Sequence, residues 1–217
     1  MTNMKFRHVV WDWNGTLLND GNACWRVCNG IFKEFNRPEI DLHLYRHSIT
    51  IPARVFWNAH GLGASDEEYL LISERFHQLY HIELEECRLH DGIADLVSDL
   101  SNGGVTQSIL SAHQEALLHY ATKQFNLFSK MTDVVGVPDH TAGGKIGVGL
   151  DWINRSGVDR QQTIMVGDMQ HDFEVAQALG IGCVLISHGF QAPGVLEQTG
   201  ADIVHSLDEL AGYLGAR

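Results

Sequence analysis

A doubly wound, mostly parallel α/β fold interrupted by a helical insertion is the architecture the sequence predicts. Three observations point to it. From about residue 91 onward, short apolar runs alternate with helical stretches of about 10–15 residues, the pattern of a parallel sheet covered on both faces. Between Asp20 and about Glu86 that alternation is suspended and aromatic residues recur at helical spacing. The isolated apolar run Phe6–Trp11 ahead of this region supplies the first strand.

The elements follow in order. Phe6–Trp11 is a β-prone run stopped by Asp12-Trp13-Asn14-Gly15, where Asn-Gly marks a sharp turn. In the next region Trp25, Cys28, Phe32 and Phe35 share one helical face, as do Tyr69, Ile72, Phe76, Leu79 and Tyr80. Arg37-Pro38 and Gly61-Leu62-Gly63 separate the helices, and no strand pair is expected inside residues 19–89. A helix over 93–100 is closed by Asn102-Gly103-Gly104. Strands are expected at 106–110, 132–137, 163–166, 183–186 and ending at Val204. Helices fall between them at 114–125, 148–156 and 173–179, with a last one at 207–214.

Composition limits function. The 217 residues carry a net charge of −12 and no clustered Lys/Arg, which argues against nucleic acid as a partner. No stretch has the roughly 18 consecutive apolar residues of a membrane span, and Val9-Val10-Trp11 is cut short by Asp12, so no signal peptide is read. Cys24, Cys28, Cys87 and Cys183 form no paired metal or disulfide pattern. A reduced, cytoplasmic setting and a monomer or homodimer are the expectations.

Ligands of doubly wound sheets bind outside the carboxyl ends of the strands. There the sequence places Asp12 and Asn14 after strand one, Ser111 after strand two, Lys145 after Gly143-Gly144, and Asp168 with Asp172 after strand four. Paired carboxylates form a hard-oxygen pocket suited to Mg²⁺. A carboxylate is also a nucleophile toward phosphorus, and Lys and Ser can stabilise the charge that develops in phosphoryl transfer.

Together, Asp12-Trp13-Asn14-Gly15-Thr16-Leu17, Ser111, Lys145 and Gly167-Asp168 with Asp172 resemble the four ordered motifs of the haloacid dehalogenase superfamily of phosphohydrolases. Ala176–Gly180 and Gly200-Ala201-Asp202 extend the likeness. The resemblance implies a Rossmann-like core over residues 1–18 and 90–217, and a helical cap over 19–89 of the phosphoglycolate phosphatase-like branch. It implies a small phosphorylated metabolite as substrate, with Asp12 as nucleophile. Mg²⁺ would be held by Asp12, Asp168, Asp172 and the backbone carbonyl of Asn14. Ser111, Ala112 and Lys145 would contact the phosphoryl group. In such phosphatases the position of Asn14 is a second Asp, which protonates the leaving alkoxide. An amide cannot, so turnover of alkyl esters is expected to fall by about 10²–10⁴ and Asn14→Asp to raise it. The alternative is a degenerate relative that binds a phosphometabolite or a protein partner.

Other groupings carry less. His43/His47 and His77/His81 are four apart but lack the intervening glutamate of a zinc helix. Cys24/Cys28 read as buried thiols, and the insertion's aromatics read chiefly as core. If one residue of the insertion meets a substrate anion, Arg54 after Pro52 is the expectation.

Overall fold

The computed structural model describes residues 5–138 and 144–216. Gly143, half of the Gly-Gly pair ahead of Lys145, lies outside them. Six parallel strands form one sheet in the order β5-β4-β1-β6-β7-β8. Their ranges are His8–Trp11 (β1), Thr106–Gln114 (β4), Asp133–Val137 (β5), Thr163–Gly167 (β6), Gly182–Ile186 (β7) and Asp202–Val204 (β8).

Side chains alternate across the sheet, as a strand requires. Val9 and Trp11 of β1 join a core with α5 (Ile93–Asn102) and α10 (Leu207–Leu214), packing on Leu96, Val97 and Leu210. Val10 points the other way, into a core with Trp152 and Ile153 of α7 (Lys145–Ser156) and Val175 and Leu179 of α8 (Gln170–Leu179). Both faces are therefore dry, which is why the strands read as continuous apolar runs. Helix α6 (Glu115–Gln124) and the short α9 (Pro193–Leu196) complete this part.

Four helices lie between β1 and β4 ahead of α5: α1 (Gly21–Glu34), α2 (Leu42–Ser48), α3 (Ala53–Ala59) and α4 (Asp66–Leu84). Their own core is aromatic, built on Phe32, Tyr45, Phe56 and Trp57. Two dipeptides at the ends of this segment, Leu18–Asn19 (β2) and Arg88–Leu89 (β3), pair antiparallel. The sequence reading expected no strands there, because two residues are too few to show alternation.

Three boundaries move, and each matters at the site. Strand β4 runs on to Gln114, with a register irregularity between Leu110 and Gln114, so Ser111 lies inside it rather than beyond its end. Helix α7 starts at Lys145, three residues before the expected Val148; Gly147 and Gly149 weaken the helical signal there. Helix α8 starts at Gln170 because the Asp172 carboxylate accepts from the amides of Asp168 and Met169, both at 3.0 Å.

Candidate active site

Register brings the strand-end residues together. Trp11 pairs with Ile109 of β4 on one side and Val166 of β6 on the other, so Asp12 emerges between Ser111 and Asp168. Carboxylate oxygens of Asp12, Asp168 and Asp172 all lie within 4.8 Å of one another, and all three residues are buried. Lys145 enters from the first turn of α7. Its ammonium donates to Asp12 Oδ1 at 2.5 Å and Asp172 Oδ1 at 2.6 Å. A cation at a helix N-terminus opposes the helix dipole, so these two carboxylates hold it there.

Fully ionised, three carboxylates against one ammonium would carry two excess negative charges in a buried site. Burial pushes Asp12 up to about 7 against the pull of Lys145, and burial with Asp172 and Asp12 pushes Asp168 well above the carboxylate range. Burial works against the charge on Lys145, yet Asp12 and Asp172 hold its pKa above the ordinary lysine value. A divalent, oxygen-seeking cation fits this donor set: it would cancel the excess charge among hard ligands.

The Asp168 carboxylate is locked. Thr16 Oγ1 donates to Oδ1 at 2.7 Å and the Phe190 amide to Oδ2 at 2.6 Å. Gly15 (φ +78°) and Gly189 allow the backbone to close around it, since a Cβ at either would overlap the carboxylate. His90 and His188 stack with ring centroids 3.7 Å apart and bond the carbonyls of Gly15 (3.0 Å) and Thr16 (3.2 Å). The loop carrying Gly189 and Phe190 is tied to α2, because Arg46 donates to the carbonyls of Ser187 and Gln191.

Asn14 is held by residues the sequence reading did not single out for the site. Its Nδ2 donates to Asp20 Oδ2 at 2.8 Å and to the Tyr80 hydroxyl at 2.7 Å. That hydroxyl donates to the same Asp20 oxygen at 2.5 Å, and the Gly15 amide donates to Asp20 Oδ1 at 2.8 Å. Asp20 is fully buried, and burial raises its pKa against these three donors. Tyr80 carried a helical-stripe signal that reads equally as core; Asp20 read only as the boundary before α1. Neither carries a sequence signal that it reaches Asn14.

A cavity of about 250 Å³ opens from Asp12, Asn14, Ser111, Ala112, Lys145 and Asp172 into the four-helix segment. The Ser111 hydroxyl accepts from the His113 amide at 3.1 Å, which fixes the turn of β4 beneath it. Phe56, Trp57 and Phe76, expected chiefly as core, also line the cavity, as do His77 and His81. Arg54 does not line it, which corrects the sequence expectation. Its guanidinium is spent on the α3–α4 connection, donating to Gly63 O, Asp66 Oδ1 and Ala64 O, and it stacks behind Tyr69, which does line the cavity. Cys24 and Cys28 are buried, and burial pushes both thiols up, away from reactivity. No helix among the described residues is long and apolar enough to cross a membrane.

Residues 9–186 match the family of haloacid dehalogenase-like hydrolases. The chain belongs to that family. Among its relatives are the tyrosine-protein kinase PtkA of Mycobacterium tuberculosis, 24% identical over 95% of this chain and 72% of that one, and a phosphoglycolate phosphatase of Pseudomonas putida, 23% identical over 96% and 78%. The fold is shared with the solved structure of M. tuberculosis PtkA (TM-score 0.80, 24% identity, 97% of this chain and 99% of that one). It is shared too with a protein described as a predicted phosphatase from Clostridium acetobutylicum (TM-score 0.81, 20% identity, 96% and 97%). This member of the hydrolase family thus carries its strand-end acids on the fold of proteins so described.

Proposed function

We propose that the protein is a Mg²⁺-dependent phosphohydrolase of a small phosphorylated molecule, working through an aspartyl phosphate on Asp12, with the helices of residues 19–89 acting as a cap over the core. The observation that carries this reading is Asp12 itself: a buried carboxylate lining the cavity, gripped by Lys145 and clustered with two further acids. Asp12, Asp168, Asp172 and the Asn14 carbonyl would hold Mg²⁺, which supplies charge neutralisation on the phosphoryl oxygens when bound.

Lys145 and the Ser111 hydroxyl orient the phosphoryl group and stabilise its equatorial oxygens. An oxygen of Asp12 attacks phosphorus, the bond to the leaving oxygen breaks, and that oxygen departs with the electron pair. Water then attacks the aspartyl phosphate, freeing inorganic phosphate and the Asp12 carboxylate. The Asn14 amide is committed as a donor to Asp20 and Tyr80, so it neither protonates the leaving group nor activates the water. The second step is therefore slow, and alkyl esters suffer most in the first.

A phosphatase assay over activated and alkyl phosphates, with and without Mg²⁺, tests this. Metal-dependent turnover lost in Asp12→Asn is expected. A second reading, a binder of phosphorylated molecules without turnover, is favoured by Asn14 alone, and it requires that acetyl phosphate bind but never phosphorylate the chain.

A further inference from the structure

The cavity beyond the phosphoryl site has a chemical character of its own. Its walls are Phe56, Trp57, Tyr69, Phe76, Leu117 and Phe190, contributed by α3, α4, α6 and the loop after β7. Lys145 is the one lysine or arginine lining it among the described residues, and both Asp12 and Asp172 already claim its ammonium. Arg54, the cation nearest to a role there by sequence, is turned into the α3–α4 connection. The other basic groups on its lining are the imidazoles of His77, His81, His113 and His171, so an uncharged ring gains the full contact of the aromatic walls, whereas a carboxylate gives up its water for imidazoles and rings.

Resting on the phosphohydrolase reading above, we infer that the group esterified to the phosphate is an uncharged aromatic one, so that the substrates are aryl phosphate monoesters rather than phosphorylated hydroxy acids. Size agrees. An apolar cavity of ~150 Å³ accommodates a benzene ring, so about 250 Å³ holds one ring together with its phosphoryl group. The chemistry agrees as well. Asn14 offers an amide where a proton donor is needed for an alkoxide, and an aryloxide needs none. Asp12 forms the new P–O bond, the P–O(aryl) bond breaks, and its electron pair stays on the aryl oxygen, where the ring delocalises it. The proton that later neutralises the aryloxide comes from water.

Affinity separates this inference from leaving-group reactivity. Benzylphosphonate, methylphosphonate and phosphonoacetate, none of which is hydrolysed, are titrated calorimetrically into the full chain with Mg²⁺. Burying one ring against these walls should make benzylphosphonate bind about 10- to 100-fold more tightly than methylphosphonate, and phosphonoacetate no more tightly than methylphosphonate. Phe76→Ala should lower the benzyl-to-methyl ratio about 5-fold or more. Leu117→Arg, on an exposed position of α6 at the cavity wall that does not threaten folding, should reverse the preference toward phosphonoacetate.

A benzyl-to-methyl ratio near one, or tighter binding of phosphonoacetate to the wild type, overturns the inference. If acetyl phosphate still phosphorylates Asp12 in those samples, the phosphohydrolase reading survives that failure. If it does not and methylphosphonate fails to bind, the two fall together.

Discussion

Exchanging Asn14 for Asp is the perturbation whose outcome the structure changes most. The substitution puts an oxygen where an amide nitrogen now donates 2.8 Å to Asp20 Oδ2 and 2.7 Å to the Tyr80 hydroxyl. Two ionised carboxylates at that spacing repel by about 6 kcal/mol at an effective dielectric of about 20. The pair avoids this by sharing one proton. Holding that proton costs about 1.4 kcal/mol for each pH unit above the ordinary carboxylate range near pH 4, hence about 4 kcal/mol at pH 7. The smaller figure governs. Because the folded variant then binds one more proton than the unfolded chain, its deficit grows as pH rises and shrinks by about 1.4 kcal/mol per unit toward pH 5. The double variant Asn14→Asp/Asp20→Asn exchanges amide and carboxylate, lets Tyr80 donate to position 14, and should return to within about 1 kcal/mol of wild type. Alkyl-ester turnover should rise by about 10²-fold or more in Asn14→Asp, where position 14 holds a proton that the leaving alkoxide can take. Urea unfolding of the four proteins at pH 5, 6 and 7 measures the cycle. A single variant as stable as wild type at pH 7, or additive changes in the cycle, would refute the reasoning.

Three further outcomes follow from the same geometry. Asp168→Ala should weaken Mg²⁺ binding by at least tenfold in calorimetry, and wild-type affinity should rise as pH increases through about 7, where Asp12 sheds its proton; equal affinity in both proteins would remove Asp168 from the metal site. Gly189→Ala drives a methyl into the Asp168 carboxylate and breaks its bond from the Phe190 amide, so a loss of about 1–3 kcal/mol in urea unfolding is expected. Buried His8, which bonds Thr106 at 2.7 Å, has its pKa lowered to about 4 by burial. It stays neutral in the fold while the unfolded chain takes up a proton below about 6.5. Stability should therefore fall as pH drops from 6.5 to 4, by about 3 kcal/mol, and His8→Phe should flatten that limb in thermal melts.

The alternation of apolar strands with helices made the parallel sheet legible, because burial on both faces leaves strands uniformly apolar; of the ordered strand-end residues, Asp12 sits with Asp168 in one acid cluster and lines one cavity with Ser111 and Lys145. What sequence could not show was cross-chain. Asp20 lies 60 residues from Tyr80, and nothing in either local pattern says that both close on Asn14. The grip of Thr16 and Phe190 on Asp168 spans 152 and 22 residues and depends on loop closure over two glycines. Arg54 misled for a related reason. A cation at a helix start in the insertion is a reasonable anion contact until the Gly63–Asp66 turn offers it two carbonyls and a carboxylate nearer by. The aromatics were ambiguous because a helical stripe serves core and cavity wall alike, and Phe56 and Trp57 do both.

The central claim is that Asp12 is a nucleophile whose phosphoryl adduct outlives its formation, because Asn14 leaves water unactivated. Rapid acid quench of the protein mixed with acetyl phosphate and Mg²⁺, followed by peptide mass spectrometry, tests it directly. A phosphoryl adduct on the peptide bearing Asp12, accumulating toward one per chain ahead of slow phosphate release and absent in Asp12→Asn, is the predicted result. Turnover of acetyl phosphate without any adduct on Asp12, or an adduct that persists in Asp12→Asn, would contradict it.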